Sequence, residues 1–316
     1  MSQEDANRRH PRDLQGLLRF AMEATRAEDA PHPSVFQEMD PERRRFLEEA
    51  IRSLTIDVVE QIQKAMKILI EGQASAQEQK EALDTVIDFI ENIDTANDFY
   101  KIGGFCILLP GLESPYAEVR QGTAELIGEL AQNNPFCQEH LLELNVLPKL
   151  IELLTDEANV ANHALHAISC IIRHNEACLR GFLEIGGAEC LVGVLESGHE
   201  KLLIKTAFLL STLCVEDSKL REDVIKFGAV ERLIRHIAPR TEYDPLLETA
   251  LSALYVLTES ETAITQCQDS RFNLCYTLED VIKVSGNNDV FQECIGYAEG
   301  LIKRCFTPTS PEETDR

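Results

Sequence analysis

IGGAECLVGVLES, residues 185–197, reads as a short loop with two adjacent glycines and then an apolar helix. A second helix, rich in Ala and Leu, follows over residues 202–214. The same pair recurs along the chain. Its loop anchor stands at Gly103, Asn145, Gly186 and Gly228, spaced 42, 41 and 42 residues apart. The small residue of the second helix stands at Ala124, Ala164, Ala207 and Ala250.

A period near forty residues with two or three helices per unit is the signature of armadillo or HEAT repeats. The wording Gly-Gly-x-x-x-Leu-Val-x-x-Leu favours armadillo. Each unit has a face it cannot bury alone, so the units are expected to stack into a curved rod with a continuous core. The fold expectation is therefore all-α, an armadillo-like right-handed superhelix with helical caps. Its expected parts are a flexible arm over residues 1–38, an N-terminal helical cap over 39–92 and four armadillo-like repeats over 93–260. A C-terminal helical cap over 261–306 and a polar tail over 307–316 complete it.

Within the arm, Leu14, Leu17, Leu18 and Met22 share helical spacing, a ridge that suits either an inert tail or a docking peptide. Order is expected to begin at residues 39–41, where Asp40 can cap and Pro41 fits a first helical position. Phe46, Leu47, Ala50, Ile51 and Leu54 give that helix its apolar stripe. A second helix is predicted over 57–70, a polar break over 72–79 and a third helix over 80–91. After Thr258 the period fades, and 278–284 and 291–306 read as closing helices.

Charge narrows the partners. The net charge is −24, and residues 102–200 hold fourteen acids against four Lys or Arg. An acidic rod repels phosphate backbones and anionic membranes, so neither nucleic acid nor membrane is expected as a partner. No stretch reaches the eighteen or so apolar residues of a membrane helix, and the first twenty residues lack a signal-peptide core. A cytosolic chain, or one both cytosolic and nuclear, is expected. The ten cysteines form no Cys-x-x-Cys pair, and Cys190 and Cys214, inside apolar runs, read as small buried hydrophobes kept as thiols in a reducing compartment.

Spacing also defines a face. Counting from the recurring Ala at about 100° per residue, positions −2, +5 and +9 of each second helix fall within about 40° of one another, opposite the core stripe of Ile168, Ile171 and Ile172. They are Gly122, Glu129 and Asn133; Asn162, Ser169 and Arg173; Lys205, Thr212 and Glu216; and Glu248, Tyr255 and Glu259. Stacked, they make a ladder along the inner face of the rod. Such a ladder is either a solvated face, which every amphipathic helix has, or a recognition surface. Lys205 and Arg173 among carboxylates favour a folded, mixed-charge partner over a basic peptide.

Reaction chemistry is sparse. His163, His166, Cys170 and His174 share a narrow arc, but one straight helix offers two metal ligands easily and four poorly. A groove rim is the expected role, and no metal or other cofactor is expected. Phosphate-binding loops, nucleophile elbows and kinase sets are absent from the sequence, so no enzyme activity is expected.

Residues 91–104, ENIDTANDFYKIGG, join a repeat-like helix to the first anchor, with Asp94 or Thr95 as the expected N-cap. This wording resembles the signature of the cytosolic armadillo-type nucleotide exchange factors for the seventy-kilodalton heat-shock chaperone. RDLQGLL at 12–18, MDPERRRFLEEA at 39–50 and KLLIKTAFLL at 201–210 are similar to other motifs of that family. The resemblance implies a monomeric co-chaperone whose concave face embraces lobe II of the chaperone's nucleotide-binding domain and promotes ADP and client release. It implies partner contacts at Asn92, Asp94, Ala96 and Asn97, and an arm in which Leu14, Leu17 and Leu18 occupy the chaperone's peptide site. Lys205 is reached both by the ladder spacing and by the family motif. Ala96 is expected to be a small surface residue that lets the partner approach closely, outside the apolar core. A non-catalytic scaffold or inhibitor of the same chaperone is the alternative. An armadillo receptor that binds basic peptides through a Trp ladder is excluded, because the chain has no Trp.

Overall fold

The computed structural model describes residues 45, 58–90, 92–286 and 288–307. The chain divides into two compact units, Met1–Gln63 and Lys64–Arg316. The arm with Leu14, Leu17 and Leu18, the expected helix start at 39–41, the stripe from Phe46 to Leu54 and the tail from residue 308 lie outside the described residues. Helix α1 is Val58–Glu71. Among the described residues every regular element is a helix.

The second unit is built from one recurring motif, and the chemistry of the repeat explains its spelling. The four loop anchors, Gly103, Asn145, Gly186 and Gly228, all have left-handed backbone, with φ of 85°, 59°, 81° and 89°. Glycine enters that region without steric cost and Asn tolerates it better than most residues, so these positions accept only those spellings cheaply. A short helix follows each anchor: α4 (Leu108–Leu112), preceded by a 3₁₀ turn at Gly104–Ile107, then α7 (Leu147–Glu152), α10 (Gly187–Val194) and α13 (Ala229–Ile234). The long helix of each unit is α5 (Ala117–Ala131), α8 (Ala158–Ile172), α11 (Glu200–Glu216) and α14 (Pro245–Leu257). A third helix closes each unit: α6 (Pro135–Glu143), α9 (Glu176–Glu184), α12 (Ser218–Lys226) and α15 (Glu261–Cys267).

Two helices precede the first anchor. α2 (Ala76–Phe89) stands as a long helix and α3 (Ile93–Lys101) as a third helix. α2 begins four residues earlier than the pattern of apolar residues suggests. Ser75 accepts from the Glu78 amide while the Glu78 carboxylate accepts from the Ser75 amide at 2.8 Å, a reciprocal cap that extends the helix into the expected polar break. At the far end, α15 completes the fourth unit where the period was expected to fade. α16 (Leu274–Ser285) and α17 (Gln292–Phe306) then close the array.

The third helices repeat their caps as strictly as the loops repeat their anchors. Asn92, Asn134, Asn175, Asp217 and Ser260 each accept from a backbone amide two or three residues on. Asn92, rather than Asp94 or Thr95, therefore caps α3, because it alone keeps the register of the other four.

Long helices pack in chain order, α2 on α5, α5 on α8, α8 on α11, α11 on α14 and α14 on α17. The recurring alanines lie where they meet: Ala82, Ala124, Ala164, Ala207 and Ala250 are all buried. A larger side chain there would force the helices apart.

Neighbouring units are also joined by charge. Arg120 of α5 meets Asp156 before α8 with two parallel bonds, Nε to Oδ2 at 2.7 Å and Nη2 to Oδ1 at 2.8 Å, and donates to the Ser114 carbonyl at 2.9 Å. Asp156→Asn keeps the shape and removes the charge, and is expected to cost about 1–3 kcal/mol. The Arg120 bond holds the Asp156 carboxyl below its usual range, against the opposing push of burial. This contribution is fully present above the unfolded carboxylate pKa of about 3.9 and is lost as pH falls through the lower folded value. Melting curves from pH 7 down to pH 3 should thus show the variant losing less stability on acidification than the parent.

Candidate functional site

The solvent side of the long helices carries the ladder, and the structure brings its central rungs together. Ser169, Arg173, Lys205 and Thr212 line one cavity of about 180 Å³ between α8 and α11, with His166 and Phe208. Ser169 and Arg173 also line the next cleft, about 610 Å³, with Asn133 and Gln138. Asn133, Ser169, Arg173, Lys205 and Thr212 therefore form one continuous surface across three units. Tyr255 lies further on, in a separate cleft with Arg304. Arg304 sits 4.0 Å over the Tyr255 ring and donates to the Tyr255 carbonyl at 2.8 Å. Glu129 is half-buried and Glu216 exposed, and neither lines these three cavities. Glu259 is engaged by Arg221 of the third unit, and Gly122 is buried against Leu83.

The residues of the 91–104 segment take different places. Asp94 is exposed. Asn92 is exposed but occupied as the α3 cap, accepting from the Thr95 amide at 2.9 Å. Asn97 accepts from Asn134 Nδ2 at 3.1 Å, tying α3 to α6, as Asn175 Nδ2 ties α9 to Gln138 of α6 at 3.1 Å. Ala96 corrects the expectation of a small surface residue: it is 2% exposed, with the Cys137 thiol of α6 directed at its carbonyl. Its smallness serves the approach of α3 to α6.

Of the expected His–Cys arc, His163, His166 and Cys170 lie on α8, whereas His174 falls beyond its end with left-handed backbone, φ 57°, and leaves the arc. His166 stands 3.7 Å from Cys170 through Nε2, and Gly128 leaves the space into which the imidazole packs. Burial, then the nearby Lys205 charge, lowers the His166 pKa, partly offset by Glu129, so the ring stays neutral at neutral pH. Burial, helped by Glu129, pushes the Cys170 thiol up to about 11, which makes it a poor nucleophile and a poor metal ligand. His163 turns to the Asn159 carbonyl at 2.7 Å and to Glu125. Among the described residues no group of three or more His, Cys, Asp or Glu converges as a metal site.

Phe208 is the functional candidate that the spacing argument passed over. It is 59% exposed, and so is Val215 one turn pair later on α11. Both sit inside a Leu-rich run that reads as core. Helical arithmetic does not find them: the positions +1 and +8 from the recurring Ala, which they occupy on α11, are filled by the buried Leu165 and Ile172 on α8, so only the structure shows that α11 leaves them uncovered. A large apolar side chain standing in water beside Lys205 is the kind of residue that anchors protein interfaces.

The fold is an armadillo-type array whose long helices present a mixed-charge surface with an exposed aromatic. Residues 95–243 match the model of the SIL1/FES1/HPBP1 C-terminal domain, and residues 14–99 match that of nucleotide exchange factor Fes1. Hsp70-binding protein 1 of Macaca fascicularis is 33% identical over 98% of this chain and 88% of its own length. The protein of that name from Homo sapiens is 33% identical over 98% of this chain and 89% of its own. The chain belongs to the SIL1/FES1/HPBP1 family. A designed armadillo repeat protein superposes with a TM-score of 0.61 at 18% identity, covering 77% of this chain and 98% of that one, a likeness of fold alone.

Proposed function

We propose that this chain is a nucleotide exchange co-chaperone of the seventy-kilodalton heat-shock chaperone, and that its ladder face is the concave surface that holds lobe II of the nucleotide-binding domain. The observation that carries this reading is the continuous surface from Asn133 to Thr212, with the exposed Phe208 beside Lys205. It spans units 1 to 3, and family membership supplies the partner.

The mechanism is linkage. A rod that binds the open, nucleotide-poor chaperone better than the closed one weakens ADP by the same factor that ADP weakens the rod. ADP leaves, ATP enters and the client is released. No covalent bond changes, so the chain acts without enzyme catalysis and without a cofactor. Among the described residues no helix is long and apolar enough to cross a membrane, and a monomeric cytosolic protein fits this role.

Stopped-flow release of a fluorescent ADP from the purified chaperone tests the reading. A rate that rises with this protein to a plateau, with more protein needed for half-saturation as free ADP is raised, is the expected result. An unchanged or slowed rate with binding intact would leave the scaffold or inhibitor reading in its place. Removing residues 1–38 should leave that rate near normal while client release slows, since the arm is assigned to the peptide site.

A further inference from the structure

The last unit closes on two thiols that the partner-binding surface does not use. Cys267 ends α15 and Cys305 stands next to the end of α17. They are 1% and 2% exposed, and neither is in a disulfide. The two helices pack on each other, and Gln268 Nε2 donates to the Cys305 carbonyl at 2.6 Å, pinning the helix ends at the adjoining residue. The packing of α15 on α17 and the Gln268–Cys305 bond set the two thiols beside each other, and each is the largest influence on the other's pKa.

A second observation gives the pair an entrance. Cys305 lines an open cleft of about 850 Å³, with Lys303 and Arg304 in its wall, while Cys267 is not among the lining residues. A small oxidant entering the cleft meets Cys305 first. The neighbouring Cys267 lowers the Cys305 pKa against the push of burial, with Arg304 adding a smaller pull, whereas Cys305 and then burial push the Cys267 thiol up. Because Cys305 lines the cleft and Cys267 does not, Cys305 is the sulfur placed to attack and Cys267 the one placed to resolve.

We propose that Cys267 and Cys305 are a peroxide-sensitive pair, which hydrogen peroxide converts into an intrachain disulfide joining the ends of α15 and α17. The Cys305 thiolate attacks one peroxide oxygen. The O–O bond breaks, Cys305 becomes a sulfenic acid, and the departing hydroxide takes up the proton that Cys305 gave up, leaving as water. The Cys267 sulfur then attacks the Cys305 sulfur. The S–O bond breaks, the S–S bond forms, and the hydroxide released takes the Cys267 proton to give a second water. Two thiols lose two electrons and one peroxide gains them. The bridge closes a loop through α16 and fixes α17, whose Arg304 stacks on Tyr255, to the fourth unit. Disulfides in reducing compartments are usually transient and sensory, and thioredoxin-type reductants would reopen this one.

The test uses the full chain treated with increasing hydrogen peroxide, quenched by alkylation and digested for mass spectrometry. Cys106, the exposed cysteine, is the internal reference. The expected result is a cross-linked peptide pair containing Cys267 and Cys305, two hydrogens lighter than the reduced pair and lost on treatment with dithiothreitol. It should form roughly tenfold faster than Cys106 is oxidised, because attack depends on thiolate character and on a resolving partner. The oxidised chain should also melt several degrees higher. Cys267→Ser should trap Cys305 as a dimedone-reactive sulfenic acid, and Cys305→Ser should leave Cys267 unmodified. Oxidation of Cys106 with the pair still reduced would overturn the proposal, as would equal dimedone labelling of Cys267 in Cys305→Ser.

Discussion

Ala96→Arg is expected to destabilise the fold by about 3–5 kcal/mol, because it places a long cation where a buried methyl group stands. Ala96 is 2% exposed between α3 and α6, one turn from the fully buried Phe99. Among the described residues, the groups bonded across this contact are the Cys137 thiol, the Ala96 carbonyl and the amide of Asn97. The guanidinium must therefore either remain unpaired or push α3 off α6, which also breaks the Asn134–Asn97 bond. Chaperone binding should fall with it, but through the lost geometry of the first unit. Thermal melting separates the two causes. A variant that melts as the parent does, yet fails to bind, would show that Ala96 reaches the partner after all and that α3 moves aside to let it.

This case shows what spelling can and cannot reveal. Gly103, Asn145, Gly186 and Gly228 were legible because a left-handed backbone restricts the choice of residue wherever it occurs. The recurring alanines were legible for a similar reason, since close helix packing excludes larger side chains. Ala96 obeys the same demand for smallness, but smallness does not say which neighbour requires it, the partner or α6. The cap of α3 was undecided between two good capping residues at 94 and 95, and the true cap, Asn92, emerges only when 134, 175, 217 and 260 are seen to cap as well. Phe208 was hidden by composition and by angle alike, because the equivalent residues of the second and fourth units, Leu165 and Leu251, are core. The Cys267–Cys305 pair was not legible at all. Two cysteines on different helices carry no spacing signal, and only the docking of α17 on α15 makes them neighbours.

Phe208→Asp and Lys205→Glu should do the opposite of Ala96→Arg, weakening the partner while sparing the fold. Phe208 is 59% exposed and Lys205 projects from the same turn of α11 into the cavity shared with Arg173 and Thr212. Neither side chain fills the space between long helices, so thermal stability should change by no more than about 0.5 kcal/mol. Binding is another matter. An exposed aromatic buried at the centre of an interface typically contributes about 2–4 kcal/mol, and replacing it with a carboxylate adds an unpaired charge, so Kd should rise by roughly a hundredfold or more. Lys205→Glu reverses a rim charge and should cost about 1–3 kcal/mol, with more of the loss at low salt. Leu209→Ala is the matched control. It is adjacent in sequence but only 3% exposed, so it should lose about 2–5 kcal/mol of stability while the folded fraction binds normally. The measurement is a titration of each variant against the chaperone's nucleotide-binding domain at two salt concentrations, beside a melting curve. If both α11 surface variants bind like the parent at either salt, the partner does not touch this face, and the ladder is a solvated surface of the rod.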